Sequence, residues 1–200
     1  DVNIMSKLDR TNYAKDGTIL SDEFNDAKAA LRGYAESTLT SSIVFSAGFN
    51  RTLLGYLEQF KDFYRDANGK IKKKIIIKVS DFRSAMIQGK FLASKGLEVS
   101  EFRIESGLNC GGHAFASQGY LLPSILKEFK DKRKTLAQEF IPLIKSYYEK
   151  QNWTFNEADF ISEPLLTVQG GIGTSGEAQR MIEDFGCDST GWGSPFLLVP

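Results

Sequence analysis

Two glycine-rich turns near the end of the sequence have the composition of an anion-binding site. Residues 170–173 read Gly-Gly-Ile-Gly after the apolar run 165–168, and residues 191–193 read Gly-Trp-Gly at the end of the next run. Glycine lets backbone N–H groups approach an anion closely, and the positive N-terminal end of a following helix attracts it further. The pattern predicts a phosphate site formed by the backbone of Gly170, Gly171, Gly173, Gly191 and Gly193.

The first of these turns also has a simpler interpretation. Thr174 and Glu177 have the spacing of a capping box, in which each side chain accepts a hydrogen bond from the backbone N–H of the other residue. In that interpretation the glycines allow a tight turn before a well-capped helix and bind no ligand. The sequence leaves both interpretations open.

A single histidine lies where it could act as a base. His113 follows the paired glycines Gly111 and Gly112, shortly after the β-rich run 101–105. A neutral imidazole suits general-base catalysis near neutral pH, and the glycines would let a flat cofactor or substrate come close. We predict a catalytic role for His113; the alternative is a surface histidine behind an ordinary turn. Cys110 lies in the same loop, but its spacing from His113 does not establish a nucleophile pair.

A lysine interrupts an otherwise apolar run. Residues 75–79 read Ile-Ile-Ile-Lys-Val, which is typical of a strand buried on both faces. Burial of the Lys78 ammonium is costly unless it reaches an anion or water at the end of the strand. The sequence therefore predicts a ligand-binding role for Lys78, with snorkelling of its side chain to solvent as the alternative. The lysines that precede the run, Lys72, Lys73 and Lys74, are expected to be solvated.

Short β-rich runs alternate with helical segments along the chain. Strands are predicted at residues 42–46, 75–79, 101–105 and 165–168 and in the run that ends at 191–193; helices are predicted at 22–37, 50–64, 81–95 and 121–151 and after residue 174. Pro142 should divide the longest helical segment into two helices, and residues 1–20 are predicted to form a loop. Such alternation indicates an α/β fold with a parallel sheet. The glycine turns after the last two strands favour a (β/α)8 TIM barrel, which binds phosphate there.

Composition narrows the classes of partner. The chain has 200 residues and a formal net charge of zero, which gives no support for nucleic acid or an anionic membrane as a partner. Two cysteines make neither a disulfide framework nor a zinc-ligand set, so we expect free thiols, no metal site and a cytoplasmic location. A complete barrel takes about 250 residues. Residues 1–41 are therefore predicted to lead into the barrel, and residues 42–200 to form the C-terminal part of it, about five βα units.

At these motifs the chain resembles the FMN-dependent TIM-barrel oxidoreductases, in particular the nitronate monooxygenases and the flavin-dependent enoyl-acyl-carrier-protein reductases. Those proteins carry a Glu-Ala/Ser-Gly-Gly-His turn, then Leu-Leu-Pro, then strands that end Gly-Gly-Ile and Gly-Thr-x-Phe. The run 75–80 also resembles the Val-Lys-Leu-Val-Ser strand of the glutamate synthase flavin domain. The matching residues of the first pattern are Glu105, Ser106, Gly111, Gly112 and His113, then Leu121, Leu122 and Pro123, then Gly170, Gly171 and Ile172, and finally Gly193, Ser194 and Phe196.

The resemblance implies a flavoprotein that acts on a small-molecule substrate, with FMN as its cofactor. It implies that Lys78 faces the isoalloxazine ring and that His113, beside flavin and substrate, accepts a proton or orients the substrate. The substrate would be a small carbon acid, with NAD(P)H or another electron donor as a candidate partner. Two alternatives stay open: a glutamate-synthase-like domain, whose usual iron–sulfur cysteine cluster is missing here, and a phosphate-binding barrel module without a redox role. The residues that the resemblance places at the cofactor, besides Lys78, are Gly111, Gly112, Gly170, Gly171, Gly173, Gly191, Gly193 and Ser194.

Overall fold

The protein, described here as a computed structural model, is built on one parallel β-sheet. The structure describes residues 1–4, 9–105, 122–160 and 163–192. Six strands form the sheet in the order β1-β2-β3-β4-β5-β6, and every neighbouring pair is parallel. The strands are β1 (Val2–Ile4), β2 (Ser41–Phe45), β3 (Lys73–Val79), β4 (Val99–Glu105), β5 (Leu165–Gln169) and β6 (Ser189–Gly191).

Helices connect the strands, as expected for parallel neighbours. The predicted α/β class with a parallel sheet is therefore confirmed. Among the described residues the α-helices are α1 (Asp26–Glu36), α2 (Arg51–Tyr56), α3 (Phe82–Ala93), α4 (Leu122–Lys150) and α5 (Ser175–Glu183). Short 3₁₀ turns lie at Asp22–Phe24, Leu57–Gln59, Lys61–Phe63 and Glu157–Phe160.

Alternation along the strands gives the sheet two different faces. Odd-numbered residues of β3, such as Ile75 and Ile77, are buried in the same hydrophobic cluster as the helical residues Leu31, Leu92 and Phe129. The even-numbered residues of β3 point to the opposite side of the sheet. The helices therefore cover one face, and the other face is free to carry different chemistry.

Three segments differ from the prediction. Residues 1–20 are not entirely loop, because Val2–Ile4 pairs with β2 as an edge strand. A strand of three residues is too short to show a period of two, so only its pairing identifies it. The helical segment before β5 is one helix, α4, with Pro142 inside it. Pro142 is exposed, whereas Phe140 and Ile144 on either side are buried, so the packing of a continuous apolar stripe stabilises the helix across the missing N–H.

The segment predicted as one helix over residues 50–64 is also subdivided. It begins as predicted at Asn50, whose side chain accepts a hydrogen bond from the N–H of Leu53, but α2 ends at Tyr56 and two 3₁₀ turns follow. The helix after β3 begins at Asp81, which caps it, and its last turn is closed by Gly96 with a φ of +72°. A left-handed residue at this place is the usual end of a helix.

The prediction for Lys73 is wrong. Its side chain is fully buried rather than solvated, and it lies within β3 on the helix-covered side. The ammonium donates to the backbone carbonyls of Tyr34 (2.9 Å) and Ser37 (2.6 Å) at the C-terminal end of α1. A cation there satisfies carbonyls that have no partner within the helix and interacts favourably with its dipole.

Within the described ranges, no helix combines the length and the apolar character needed to cross a membrane.

Candidate functional site

The face of the sheet away from the helices is polar towards its carboxyl edge. In β4 the apolar residues Phe102 and Ile104 join the core cluster, so Glu101, Arg103 and Glu105 point to the other side. The same alternation holds in β3 and β5, where Ile77, Val79, Leu166 and Val168 are core residues. We call this surface the polar face; its members are Lys78, Glu101, Arg103, Glu105, Thr167, Gln169 and Ser189.

Strand register arranges these side chains in rows across the sheet. Lys78 pairs with Arg103, Arg103 with Thr167, and Thr167 with Ser189. One step nearer the carboxyl edge, Glu105 pairs with Gln169 and Gln169 with Gly191. An irregularity between Ile75 and Ile76 sets this alignment of β3 with β4. The rows bring together residues that are far apart in the chain.

The central feature of the polar face is an ion pair between Lys78 and Glu105. Their Nζ and Oε2 atoms are 2.6 Å apart, and the two side chains are only 9% and 10% exposed. Although it is close to the ammonium, Oε2 of Glu105 has no partner with hydrogen-bond geometry among the described residues. A buried polar atom that lacks such a bond is uncommon and calls for an explanation, such as a bound ligand or water.

A second ion pair lies deeper in the same face. The Arg103 guanidinium is 2.9 Å from the Glu101 carboxylate and 3.4 Å from that of Asp1. Beside it, the hydroxyl groups of Thr167 and Ser189 are hydrogen-bonded at 2.9 Å. Each cation of the polar face therefore has a carboxylate of its own, and the deeper groups satisfy one another.

The two glycine turns lie next to each other in space. Gly170 and Gly171 follow the last residue of β5 with φ values of +88° and +72°, a conformation that favours glycine. Their neighbour strand β6 ends at Gly191, in register with Gln169. Gly191 is also needed for packing, because a Cβ there would lie 3.0 Å from the Cβ of Gln169. Gly193 and Ser194 are outside the described residues.

The capping box at the start of α5 is confirmed. The Glu177 carboxylate accepts hydrogen bonds from the N–H of Gly173 (2.9 Å) and of Thr174 (3.0 Å), and the Glu177 N–H donates to the Thr174 hydroxyl. These bonds, led by that from Gly173, lower the pKa of Glu177. Glu177 thus takes the N–H of Gly173, whereas those of Gly171 and Ile172 have no acceptor within the described part of the chain. An anion at this turn would bind on the Gly170–Gly171 side.

Other contacts hold β6 in place beside β5. The Asp188 carboxylate accepts a hydrogen bond from the N–H of Leu166 at 2.7 Å, and it is 2.8 Å from the Arg133 guanidinium of α4. The Trp192 indole donates to the Thr190 hydroxyl at 2.9 Å. These contacts fix the relative position of the two strand ends from which the glycine turns begin.

Several of the remaining predicted residues lie outside the residues that the structure describes, and Cys187, which is described, has no chemical role. His113, Gly111 and Gly112, like Cys110, lie outside the described residues, so their placement stays a prediction. Cys187 is buried, and burial raises the pKa of its thiol to about 11, so it is not a reactive nucleophile. In the ranges that the structure describes, no cluster of three or more His, Cys, Asp or Glu side chains could hold a metal ion.

Five residues of the polar face were missed altogether, Glu101, Arg103, Thr167, Gln169 and Ser189, and Glu105 was named only as part of the motif resemblance. A signal for two of them was present, because residues 101–105 read Glu-Phe-Arg-Ile-Glu, a strict alternation of charged and apolar residues. In a strand this alternation puts three charges on one face. Comparison with known proteins adds no further assignment, since no family model, no curated protein and no solved structure matches the chain.

Proposed function

We propose that the chain forms part of an FMN-dependent (β/α)8-barrel oxidoreductase, similar to the nitronate monooxygenases, that acts on a small carbon acid or a reduced nicotinamide. The observation that carries this proposal is the buried Lys78–Glu105 pair on the polar face, in which Oε2 of Glu105 lies beside the ammonium and has no partner with hydrogen-bond geometry among the described residues. The pair lies at the edge of the sheet where the Gly170–Gly171 turn and the end of β6 come together.

The sheet supports a barrel rather than an open α/β sheet. Its strands follow chain order without reversal, and the described helices pack on one face. A doubly wound sheet reverses its strand order and carries helices on both faces. In a barrel the helices are outside and the other face lines the interior, where polar groups collect at the carboxyl end. With β1 included, the described residues would supply six of the eight strands.

The residues present are compatible with FMN. A flavin ring offers hydrogen-bond acceptors to an ammonium and a donor to a carboxylate, and the pair offers one buried group of each kind. The N–H of Gly171 is free of protein acceptors within the described ranges and suits a phosphate. In this proposal Gly193 and Ser194 complete the phosphate site, and Lys78 faces the ring.

Each residue then has a defined chemical role. FMN, when bound, supplies the ring that accepts a hydride or electrons. The Lys78 ammonium stabilises negative charge in a site from which water is largely excluded, where such an interaction is strong. The unprotonated ring nitrogen of His113 accepts the proton that the substrate loses, and Gly111 and Gly112 leave room for the substrate beside it.

Absorbance of the purified full chain tests the proposal. The protein should be yellow, or become so after incubation with FMN and removal of free ligand, with bands at roughly 370 and 450 nm that report the bound flavin. A colourless protein that takes up no FMN would contradict both this function and the glutamate-synthase-like alternative. It would favour the barrel module without a redox role.

Activity then tests the role of His113. With nitronates and reduced nicotinamides as substrates, His113→Ala should lower turnover by about 10²–10⁴-fold, the range typical of a lost general base. Flavin content should stay at the wild-type level, because the imidazole is not assigned to cofactor binding. Unchanged turnover would show that the assignment is wrong, and glutamine-dependent activity would favour the glutamate-synthase-like alternative.

A further inference from the structure

We propose that Glu105 is a positioning residue for Lys78, and that its carboxylate also offsets the lysine's charge. The site would then present a neutral acceptor–donor pair to its ligand instead of a bare cation. This inference rests on the proposed function, because the ligand that senses the pair is the flavin ring. It adds a second role to the one that the proposed function gives Glu105, which is to accept a hydrogen bond from the ring.

Glu105 is the carboxylate that holds the Lys78 ammonium. It is the described group with which Lys78 forms an ion pair, at 2.6 Å and with both side chains nine-tenths buried. The register neighbour of Lys78 is Arg103, a like charge on the same face. Without Glu105, electrostatic repulsion by Arg103 would displace the Lys78 side chain, and its ammonium would lose its fixed position.

The neighbouring cation, Arg103, has a carboxylate partner of its own. Arg103 already has Glu101 at 2.9 Å, and its Nε donates to the same carboxylate at 3.0 Å. Glu101 is therefore engaged and does not compensate Lys78. Glu105 is the group whose removal leaves Lys78 uncompensated, whereas removal of Glu101 mainly affects Arg103.

The hydrogen bonding of the Glu105 carboxylate also points to a ligand. Its Oε2 atom is buried and lacks a partner with hydrogen-bond geometry within the described part of the chain, although it is near the ammonium. A salt bridge that served only the fold would be expected to satisfy its buried oxygens. Oε2 can accept a further hydrogen bond and the ammonium has further N–H groups to donate, so a ligand that carries a donor beside an acceptor could bind both.

The charge balance predicts a measurable effect on the bound flavin. A lone buried cation favours the reduced, more negative form of a nearby ring, and a carboxylate beside it reduces that preference. Glu105→Gln keeps the shape of the side chain and removes its charge. The variant should therefore bind reduced FMN more tightly relative to oxidised FMN, by about tenfold in the ratio of dissociation constants, or about 30 mV for a two-electron couple.

The experiment is a reductive titration of FMN-loaded full-length protein in the presence of a reference dye. Glu105→Gln is compared with Glu101→Gln, which removes the same charge from the same strand two rows deeper. The expected result is a potential raised in Glu105→Gln and changed less than half as much in Glu101→Gln. Equal shifts in both variants, or no shift in Glu105→Gln, would overturn the inference, because a merely structural salt bridge would not move the potential selectively.

A second pair of variants keeps the test decisive if Glu105→Gln does not fold. The double variant Lys78→Met/Glu105→Leu removes both charges and replaces them with apolar groups, an exchange that buried pairs often tolerate. Its flavin potential should lie nearer to wild type than that of Lys78→Met alone. A double variant that is no nearer to wild type would contradict the offset of charge by Glu105. Wild-type protein that takes up no FMN would contradict the proposed function, and this inference with it.

Discussion

Two buried lysines of the same strand, Lys73 and Lys78, show how the two ends of the sheet differ. Lys73 lies at the amino end of β3 and donates to two backbone carbonyls of α1, with its ammonium 5.0 Å from the centre of the Tyr34 ring. Lys78 lies at the carboxyl end, on the opposite face, against the carboxylate of Glu105, whose Oε2 atom has no partner with hydrogen-bond geometry in the part of the chain that the structure describes. One ammonium is satisfied by the fold, and the other has capacity for a ligand.

A second cation at the amino end of the sheet, Arg65, is likewise held by groups of the protein itself. The Arg65 guanidinium binds both oxygens of Glu98, at 2.7 and 2.6 Å, donates to the carbonyl of Gly69, and lies over the Phe160 ring. These groups connect segments of the chain, and none of Lys73, Arg65 and Glu98 has a buried side-chain atom that lacks a hydrogen-bond partner within the described ranges. In (β/α)8 barrels the amino end serves stability and the carboxyl end serves catalysis, and under the proposed function the two lysines would follow that division.

We expect the greatest difference between the two lysines in enzymatic turnover. Lys78→Met should lower turnover by about 100-fold, because it removes a charge-stabilising group from a desolvated site. Lys73→Met, matched in chemistry and on the same strand, should leave turnover per bound flavin unchanged. Steady-state kinetics normalised to flavin content measure both. Similar losses of turnover in the two variants would show that the two lysines do not differ in function.

Stability should separate the lysines in the opposite direction. Lys73→Met removes the ammonium that donates to the Ser37 carbonyl and one of the donors to the Tyr34 carbonyl, at the end of α1, and should lower the free energy of unfolding by about 2 kcal/mol. Lys78→Met/Glu105→Leu replaces a buried ion pair by apolar side chains and should stay within about 1 kcal/mol of wild type. Urea unfolding followed by circular dichroism gives both values. A double variant as unstable as Lys73→Met would indicate that the Lys78–Glu105 pair is structural too.

Two glycine substitutions test whether the first glycine turn, at the carboxyl edge, belongs to the proposed phosphate site. Gly171→Ala places a side chain at a φ of +72° and should lower the free energy of unfolding by about 1 kcal/mol. Gly176→Ala, within α5 where a Cβ meets no neighbour, should leave stability unchanged or raise it by up to about 1 kcal/mol. Because the proposed phosphate site includes Gly171, only the first variant should also weaken FMN binding. Equal FMN affinities in the two variants would remove Gly171 from the site.

The smallest expected effect concerns Glu177, a carboxylate at the carboxyl edge that the capping box already satisfies. Its pKa is lowered from the ordinary value of 4.5, so the folded state gains stability from its ionised form above that pH. The stability difference between wild type and Glu177→Gln should be present at neutral pH. It should shrink as the pH falls below 4.5 and through the lowered pKa. Urea unfolding at a series of pH values checks this, and a difference that grows on acidification would contradict it.

Much of the architecture could be predicted because its elements carry strong local signals. The run of isoleucines in β3 and the alternation in β4 identify buried strands, and Asp81 and Thr174 mark helix starts that the structure confirms. β1 gave no such signal, because its three residues become a strand through pairing with β2. Pro142 misled for the reverse reason: local propensity predicts a break, and the packing of the flanking residues prevents it.

The candidate site was predictable only in part, because its geometry depends on register. Lys78 stands out in sequence as a charge in an apolar run, and the structure supplies its partner, Glu105. The alignment of Lys78 with Arg103 follows from the irregularity between Ile75 and Ile76, which no local pattern encodes. For the same reason the burial of Lys73 was missed: its acceptors belong to α1, a separate segment of the chain.

The most direct test of the account is a titration of FMN into wild-type protein, Lys73→Met and Lys78→Met, followed by quenching of flavin fluorescence. The account predicts that wild type and Lys73→Met bind one FMN with the same affinity and that Lys78→Met binds it at least about tenfold more weakly, as loss of a buried charged contact requires. Absence of FMN binding by the wild type, or an equal loss of affinity in the two lysine variants, would contradict it.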